Sequence, residues 1–208
     1  MNEFEVLNIE AVLVFRERFV SPYSKIVDPE EAKRQSIAWR EEGEIVGVVD
    51  SVLDIPHYRH ADFLLKCANL GDKLILRINT DEFVSTRKDP NGPIVSLENR
   101  LKHAAHYPYT DLVTTKNCGG WDWLNEYRPS FVVKSVTSGT EVLREISEAS
   151  FYLERSQTKL IIMDEYANVI ALNNFYQEGL NYETNKFDSH KISGSIIKRE
   201  IINRYNLN

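Results

Sequence analysis

The stretch from Gly43 to His60, with the sequence GEIVGVVDSVLDIPHYRH, constrains the fold more than any other part of the chain. It begins with an apolar run over residues 45–49 that is rich in β-branched side chains, which is typical of a buried parallel strand. Asp54, His57 and His60 follow this run, just before an apolar helix pattern. Ligands bind outside the carboxyl ends of strands in open α/β sheets, and a helix N-terminus there attracts phosphate. The sequence therefore predicts a ligand site between this strand and the next helix.

A second apolar run, Lys73–Ile78, follows that helix after a Gly-Asp turn. Strand, loop, helix and strand at this spacing form a βαβ unit, so the two strands should be parallel. Helices are predicted from Pro29 to about Glu42, from Ser96 onward and over residues 140–155, and a strand over residues 159–163. We expect irregular structure over residues 165–183. These elements predict an α/β fold with an open parallel sheet and helices on both faces.

The N-terminal 25 residues have a separate pattern, with a helix predicted over residues 10–19. We expect an N-terminal helical arm over residues 1–25, for packing or dimerisation, and one main domain over residues 26–208. A chain of 208 residues fits this arrangement.

Charge and composition exclude several classes of function. The net charge of −6 argues against nucleic-acid binding, since a nucleic-acid-binding domain would carry a basic patch. Cys67 and Cys118 stand too far apart for a metal knuckle and provide no disulfide framework. No apolar run approaches the roughly 18 residues of a membrane span. The N-terminus is acidic, unlike a secretory signal, so we expect a cytoplasmic protein that binds no membrane.

The spacing D-x-x-H-x-x-H after a buried strand resembles the signature of the cytidylyltransferase-like nucleotidyltransferases, G-x-F-D-x-x-H-x-G-H. Asp54, His57 and His60 match the family's aspartate and histidines, whereas Ser51 and Arg59 stand where the family has glycines. The arginine could add a phosphate contact or fill the space. An isolated H-x-x-H is more often unremarkable than functional, so this match needs support from the rest of the chain.

That support comes from further matches in the family's order, over about residues 26 to 202. A G-D strand and an N-T-D-E-F turn follow the histidines, and a basic loop then precedes a helix that begins with an arginine. Short strands resembling the family's occur at residues 109–113 and 128–134, and I-S-G-S-I-I-K near the C-terminus resembles the family's I-S-T-T-x-I-R/K. The resemblance implies a Rossmann-like sheet with the active site at the carboxyl ends of its strands.

The resemblance also implies a role for each matching residue. The catalytic residues would be His57 and His60, as donors to phosphate, and Lys88, which would neutralise the triphosphate. Arg100 and Lys134 would contact the second substrate. The remaining matches would bind the nucleotide: Ser51, Asp54, Arg59, Ser193, Ser195 and Lys198. The chain would hold no metal of its own, because Mg²⁺ would arrive with the nucleoside triphosphate and be held mainly by its phosphates.

The implied reaction moves a nucleotidyl group from a nucleoside triphosphate to a sugar- or polyol-phosphate and releases pyrophosphate. The most similar subgroups are the glycerol-phosphate cytidylyltransferases and the heptose-phosphate adenylyltransferases, and a homodimer is the family-like expectation. Neither the base nor the acceptor can be read from the sequence. Because several departures touch the site, a non-catalytic nucleotide-binding regulatory or interaction module is the alternative. A structural dimer without a ligand would explain none of the matches.

Two other sets of residues could mimic a site. Trp121 and Trp123 could stack on a ligand, but large aromatic residues at a helix start more often belong to a core or an interface. His103 and His106 form a second H-x-x-H, yet no third or fourth ligand is indicated. We interpret the tryptophans as core or interface residues and these histidines as helix-surface or packing residues.

Overall fold

The computed structural model describes residues 20–87, 92–135, 141–163 and 169–173. The helix predicted over residues 10–19 therefore lies outside the described residues. The same holds for four predicted site residues: Lys88, Ser193, Ser195 and Lys198.

A six-stranded sheet with the order β3-β2-β1-β4-β5-β6 forms the centre of the described structure. Its first five strands are parallel, and the sixth runs antiparallel to the fifth. The chain builds outward from β1 to β3 and then crosses to β4 on the other side of β1. The order therefore reverses between β1 and β4, the place where open sheets form a ligand crevice. The strands are β1 Val46–Ser51, β2 Lys73–Asn79, β3 Leu112–Lys116, β4 Phe131–Ser135, β5 Lys159–Met163 and β6 Val169–Asn173.

Helices cover both faces of the sheet, as predicted. The helices are α1 Pro29–Glu41, α2 Tyr58–Ala68, α3 Asp81–Arg87, α4 Leu97–Ala105, α5 Leu124–Tyr127 and α6 Glu141–Ser156. Val49 of β1 packs in a core with residues of α2 and α4, whereas Val48 packs in a second core with residues of α1, α5 and α6. Successive side chains of β1 thus enter opposite cores, which explains why its sequence is apolar without alternation. The predicted α/β fold is confirmed.

Helix α1 shows how local sequence sets an element. The Asp28 carboxylate accepts a hydrogen bond of 2.8 Å from the backbone N–H of Glu31, and Pro29 is the first helical residue. Gly43 then leaves the helix with a φ of 91°, in the left-handed region that glycine adopts without strain. Both predicted ends of this helix are confirmed within one or two residues.

Two segments differ from the prediction. Residues 81–87, expected to be a turn and loop, form α3, since the Thr80 hydroxyl accepts a hydrogen bond of 3.2 Å from the N–H of Phe83. The first two residues of α3 are acidic, and negative charges stabilise the N-terminus of a helix, which is the positive end of its dipole. Part of the stretch 165–183, expected to be irregular, forms β6, whose apolar run gains its backbone partners from β5. Both elements are short and depend on tertiary contacts.

The chain enters the domain through a short 3-10 helix at Pro22–Lys25. The Lys25 ammonium donates a hydrogen bond of 2.9 Å to the carbonyl of Tyr107, and the N–H of Val27 donates one of 3.0 Å to the carbonyl of Val113. The predicted boundary after residue 25 stays a prediction. Among the helices of the described ranges, none combines the length and apolar character that crossing a membrane requires.

Candidate functional site

The two histidines of the motif lie together at the N-terminus of α2. His57 is the N-cap, and its backbone N–H donates a hydrogen bond of 3.2 Å to Nδ1 of His60. The two ring centres lie 4.3 Å apart. Because Nδ1 of His60 accepts this bond, the neutral ring carries its proton on Nε2 and is a hydrogen-bond donor there.

The surroundings of His60 favour that neutral form. Partial burial lowers the pKa of His60 below its ordinary value, and the neighbouring His57 lowers it further. His57 itself is exposed to solvent. The site therefore offers a neutral donor at His60 beside an accessible imidazole at His57.

The lowered pKa of His60 predicts a loss of stability at mildly acidic pH. Above the ordinary histidine pKa of 6.5, His60 is neutral in the folded and the unfolded chain. Below it, the unfolded chain binds the proton first, so the free energy of unfolding falls until the pH passes the folded-state pKa. We expect thermal melting between about pH 7.5 and pH 5 to show this decline, and His60→Asn to reduce it. If His60→Asn and the control His106→Asn show the same decline, His60 is not its source.

Asp54 fixes the loop that precedes the histidines. Its carboxylate accepts hydrogen bonds of 3.0 Å from the N–H of Ile94 and 2.7 Å from that of Val95. These two bonds lower the pKa of the Asp54 carboxyl group. The carboxylate thus joins the histidine loop to the segment before α4, and its predicted contact with the nucleotide stays a prediction.

Arg100 was predicted to contact the second substrate, and the structure places its side chain in the interior. Its side chain is fully buried and donates hydrogen bonds to three backbone carbonyls, at 2.6 Å to Val52, 2.8 Å to Asn79 and 2.9 Å to Val95. It also pairs with the carboxylate of Asp81. Four of its five N–H groups are therefore in use inside the protein. This placement does not support the acceptor contact predicted for Arg100, and it gives the residue a positioning role under the loop.

The backbone of the histidine loop is strained between these anchors. Leu53 has a φ of 54°, a left-handed conformation that side chains with a Cβ rarely adopt, and its own side chain is buried. Its neighbour Val52 is held by Arg100, and its neighbour Asp54 by the N–H groups of residues 94 and 95. Strained residues persist where surrounding contacts determine them, as they do here.

The other described candidates lie around the same edge of the sheet. Ser51 is the last residue of β1 and is partly buried, and Arg59 lies on the exposed first turn of α2. Nζ of Lys134 on β4 lies 3.8 Å from a carboxylate oxygen of Asp50 and 5.0 Å from the ring centre of Trp121. Lys134 thus lies on β4, across the switch point from β1.

Asp50 forms the centre of a charged cluster that was not predicted from the sequence. β1 continues through Asp50, whose carboxylate accepts hydrogen bonds of 2.7 and 3.0 Å from Arg77 and of 2.7 Å from Lys116. Burial alone would raise the pKa of Asp50, but Arg77, Lys116 and Lys134 hold it well below its ordinary value. Burial lowers the pKa of Lys116, against the opposing effect of Asp50. An arginine within the apolar run of β2 was the available signal, because a buried strand carries a charge only where it has a partner.

Both tryptophans belong to the core, one of the two locations predicted for them, and they line this cluster. Trp121 and Trp123 are buried with the second core, and the guanidinium carbon of Arg77 lies 3.4 Å from the ring centre of Trp123. His103 and His106 lie on the exposed side of α4, where they bond to the Tyr107 hydroxyl and the Lys102 carbonyl. In the described ranges, no group of three or more histidine, cysteine, aspartate or glutamate residues could hold a metal ion.

Comparison with known proteins finds a family that matches this chain. The pattern of the cytidylyltransferase-like family matches residues 48–200, from β1 through the C-terminal serine motif. The match therefore includes the histidine loop, Arg100 and the Asp50 cluster.

Several curated proteins are similar to the chain. The bifunctional protein HldE of Methylobacillus flagellatus is 30% identical over 112 residues, which cover 50% of this chain and 23% of that protein. HldE of Photobacterium profundum is 28% identical over 163 residues, or 68% of this chain and 32% of the relative. The probable ethanolamine-phosphate cytidylyltransferase of Schizosaccharomyces pombe is 28% identical over 118 residues, which cover 53% of this chain and 32% of that protein. The chain thus spans a third or less of the length of these relatives.

One solved structure with a similar chain is the lipopolysaccharide core biosynthesis protein of Thermoplasma volcanium. It has 20% sequence identity and a TM-score of 0.46, and the match covers 59% of this chain and 96% of that one.

Proposed function

The chain belongs to the cytidylyltransferase-like family, and we propose that it transfers a nucleotidyl group from a nucleoside triphosphate to a sugar- or polyol-phosphate. The observation that carries this proposal is the pair His57 and His60 at the N-terminus of α2, beyond the carboxyl end of β1. Helix N-termini with exposed donors bind phosphate groups. The relatives support the reaction type, since one is named as an ethanolamine-phosphate cytidylyltransferase.

The proposed reaction needs no covalent enzyme intermediate. An oxygen of the acceptor's phosphate attacks the α-phosphorus in line, and a new P–O bond forms. The bond between the α-phosphorus and the bridging oxygen breaks, and its electron pair leaves with pyrophosphate. Catalysis then consists of positioning and of donors aimed at the charge that develops. His57 and His60 would supply those donors, and Nε2–H of the neutral His60 suits this role.

The anchors under the loop hold these donors in place before substrate arrives. Arg100 and Asp54 fix the backbone between β1 and α2 through bonds to residues 79, 94 and 95. Donors that need no rearrangement stabilise a transition state better than mobile ones, because no reorganisation accompanies the reaction. We therefore assign Arg100 and Asp54 as positioning residues.

The remaining contacts are proposed from the family resemblance. Ser51 and Arg59 would contact the nucleotide, and Lys134 the acceptor. Mg²⁺ would enter with the triphosphate as part of the substrate. The cytoplasmic location and the homodimer stay predictions. Residues outside the described ranges would complete the triphosphate site: Lys88, Ser193, Ser195 and Lys198.

Measuring pyrophosphate release tests the proposal directly. Each of the four ribonucleoside triphosphates, with Mg²⁺, is combined with a panel of sugar- and polyol-phosphates. We expect release with one triphosphate and one class of acceptor, and no release when either is omitted. Absence of pyrophosphate release with every combination of triphosphate and acceptor would contradict the proposed transfer to this acceptor class.

The second candidate is a nucleotide-binding module without transfer activity. Arg59 on the first turn of α2 favours it, because the family has a glycine there that lets the backbone approach phosphate. Calorimetry separates the two candidates. Tight binding of a triphosphate without pyrophosphate release would support the binding module.

A further inference from the structure

Counted over the described residues that bind its carboxylate, the Asp50 cluster holds more positive than negative charge. Arg77 and Lys116 both bind the single carboxylate of Asp50, and their side chains are only 3% and 10% exposed. Lys134 approaches the same carboxylate to 3.8 Å. Burying a charge is costly unless an opposite charge compensates for it, so two buried cations on one carboxylate favour an additional anion.

Two buried polar atoms beside this cluster have no hydrogen-bond partner within the described structure. They are Oδ1 of Asn79 and Oγ1 of Thr114. In the strand register Thr114 pairs with Arg77, and Asn79 pairs with Lys116. Paired residues of parallel strands point to the same face, so both orphaned atoms lie on the face that carries the charged cluster. A buried polar atom without a partner calls for an unseen group, such as water or a ligand.

The cluster lies at the carboxyl end of β1, where the histidine loop begins. Asp50 adjoins the last residue of β1, and Lys134 lies on β4, on the opposite side of the switch point. Arg100 donates to the carbonyls of both Asn79 and Val52 through one nitrogen. The cluster and the histidine loop therefore share one rigid frame.

We propose that this cluster is an acceptor subsite that binds an oxyanion group of a hydroxylated acceptor, either phosphate or carboxylate. Arg77 and Lys116 face the anion, while Asn79 Oδ1 accepts a hydrogen bond from a hydroxyl group of the acceptor and Thr114 Oγ1 bonds to the same molecule. The cations repel a substrate that carries an ammonium group. The subsite thus selects sugar or polyol acids and phosphates over amino-alcohol phosphates. This inference rests on the proposed function for the identity of the ligand, but not for the presence of the anion site.

The first test uses inorganic phosphate and malonate as probes of the full chain, with calorimetry at an ionic strength held constant with chloride. We expect binding of at least one probe, and the stronger probe identifies the oxyanion. Lys116→Met should weaken this binding about tenfold or more, because it removes a charge-assisted hydrogen bond. The control Lys102→Met, on the outer side of α4, should bind as the wild type does. Absence of binding, or equal binding by Lys116→Met, would overturn the proposal.

Thr114→Val provides a second variant that preserves the fold. Oγ1 of Thr114 has no partner to lose, so the melting temperature without ligand should stay the same or rise. Binding of the preferred acceptor should nevertheless weaken severalfold, with the KM for the triphosphate unchanged. An unchanged acceptor KM in both Thr114→Val and Lys116→Met would overturn the acceptor assignment. If the anion binds but no acceptor reacts, the proposed function fails while the anion site stands.

Discussion

Replacing His57 with alanine is expected to lower the turnover number of nucleotidyl transfer about 100- to 1000-fold, which is roughly 2.7–4 kcal/mol of transition-state stabilisation. The imidazole is exposed at the N-terminus of α2, where a phosphate can reach it. Its hydrogen bond should strengthen as negative charge develops on the phosphates, so the effect should fall on turnover more than on triphosphate binding. Pyrophosphate release at saturating substrate measures the change.

His106→Ala is the matched control for this substitution. His106 is also exposed, but its ring bonds to the carbonyl of Lys102 at the far end of α4. We expect turnover within about twofold of the wild type, as for a surface substitution away from a site. Turnover of His57→Ala within a few-fold of wild type would refute the assignment of this histidine as a phosphate donor.

Replacing Arg100 with methionine is expected to lower the free energy of unfolding by about 3–5 kcal/mol. Three buried backbone carbonyls would each lose the hydrogen bond that they accept from the guanidinium group. Each unsatisfied carbonyl costs roughly 1–3 kcal/mol, and this cost is smaller where a water molecule replaces the lost donor. Equilibrium unfolding in urea measures this change. The slope of the free energy of unfolding against urea concentration should be the same for both proteins. Turnover should fall as well, since Val52 would lose its anchor and the histidine loop would no longer be fixed.

Lys102→Met on the same helix is the control for Arg100→Met. Lys102 bonds at 2.6 Å to the exposed carboxylate of Glu98, an arrangement that water screens. We expect its stability to stay near that of the wild type. Equal stability of Arg100→Met and Lys102→Met would show that the buried network contributes little.

The fold could be predicted largely from local patterns. Short stretches of consecutive residues are enough to predict β1, β2 and β5 from their apolar runs and the start of α1 from its capping residues. The structure confirms these elements. β6 and α3 were missed because each forms through partners elsewhere in the fold. β6 takes its backbone partners from β5, and α3 begins on the hydroxyl of Thr80.

In the candidate site, too, the residues of a local motif could be predicted, whereas residues that come together only in the folded chain could not. The motif identified His57 and His60, and the structure places them together at one helix end. No motif showed that Arg100 would be buried under their loop, because its partners lie up to 48 residues away. The Asp50 cluster was missed for a similar reason, since its members come from separate strands and meet only in the assembled sheet.

The distant anchors of the histidine loop have a consequence for protein synthesis. The carbonyl of Val52 can form its hydrogen bond only after Arg100 has been synthesised, 48 residues later. The carboxylate of Asp54 likewise needs the N–H of Val95, which follows it by 41 residues. At roughly 5–20 residues per second, the ribosome delivers that arginine between about 2 and 10 s after the loop. A nascent chain therefore carries the complete motif before the loop has the fixed conformation for which we propose phosphate binding. A fragment that ends before residue 100 would keep the recognisable signature and lack the ordered loop.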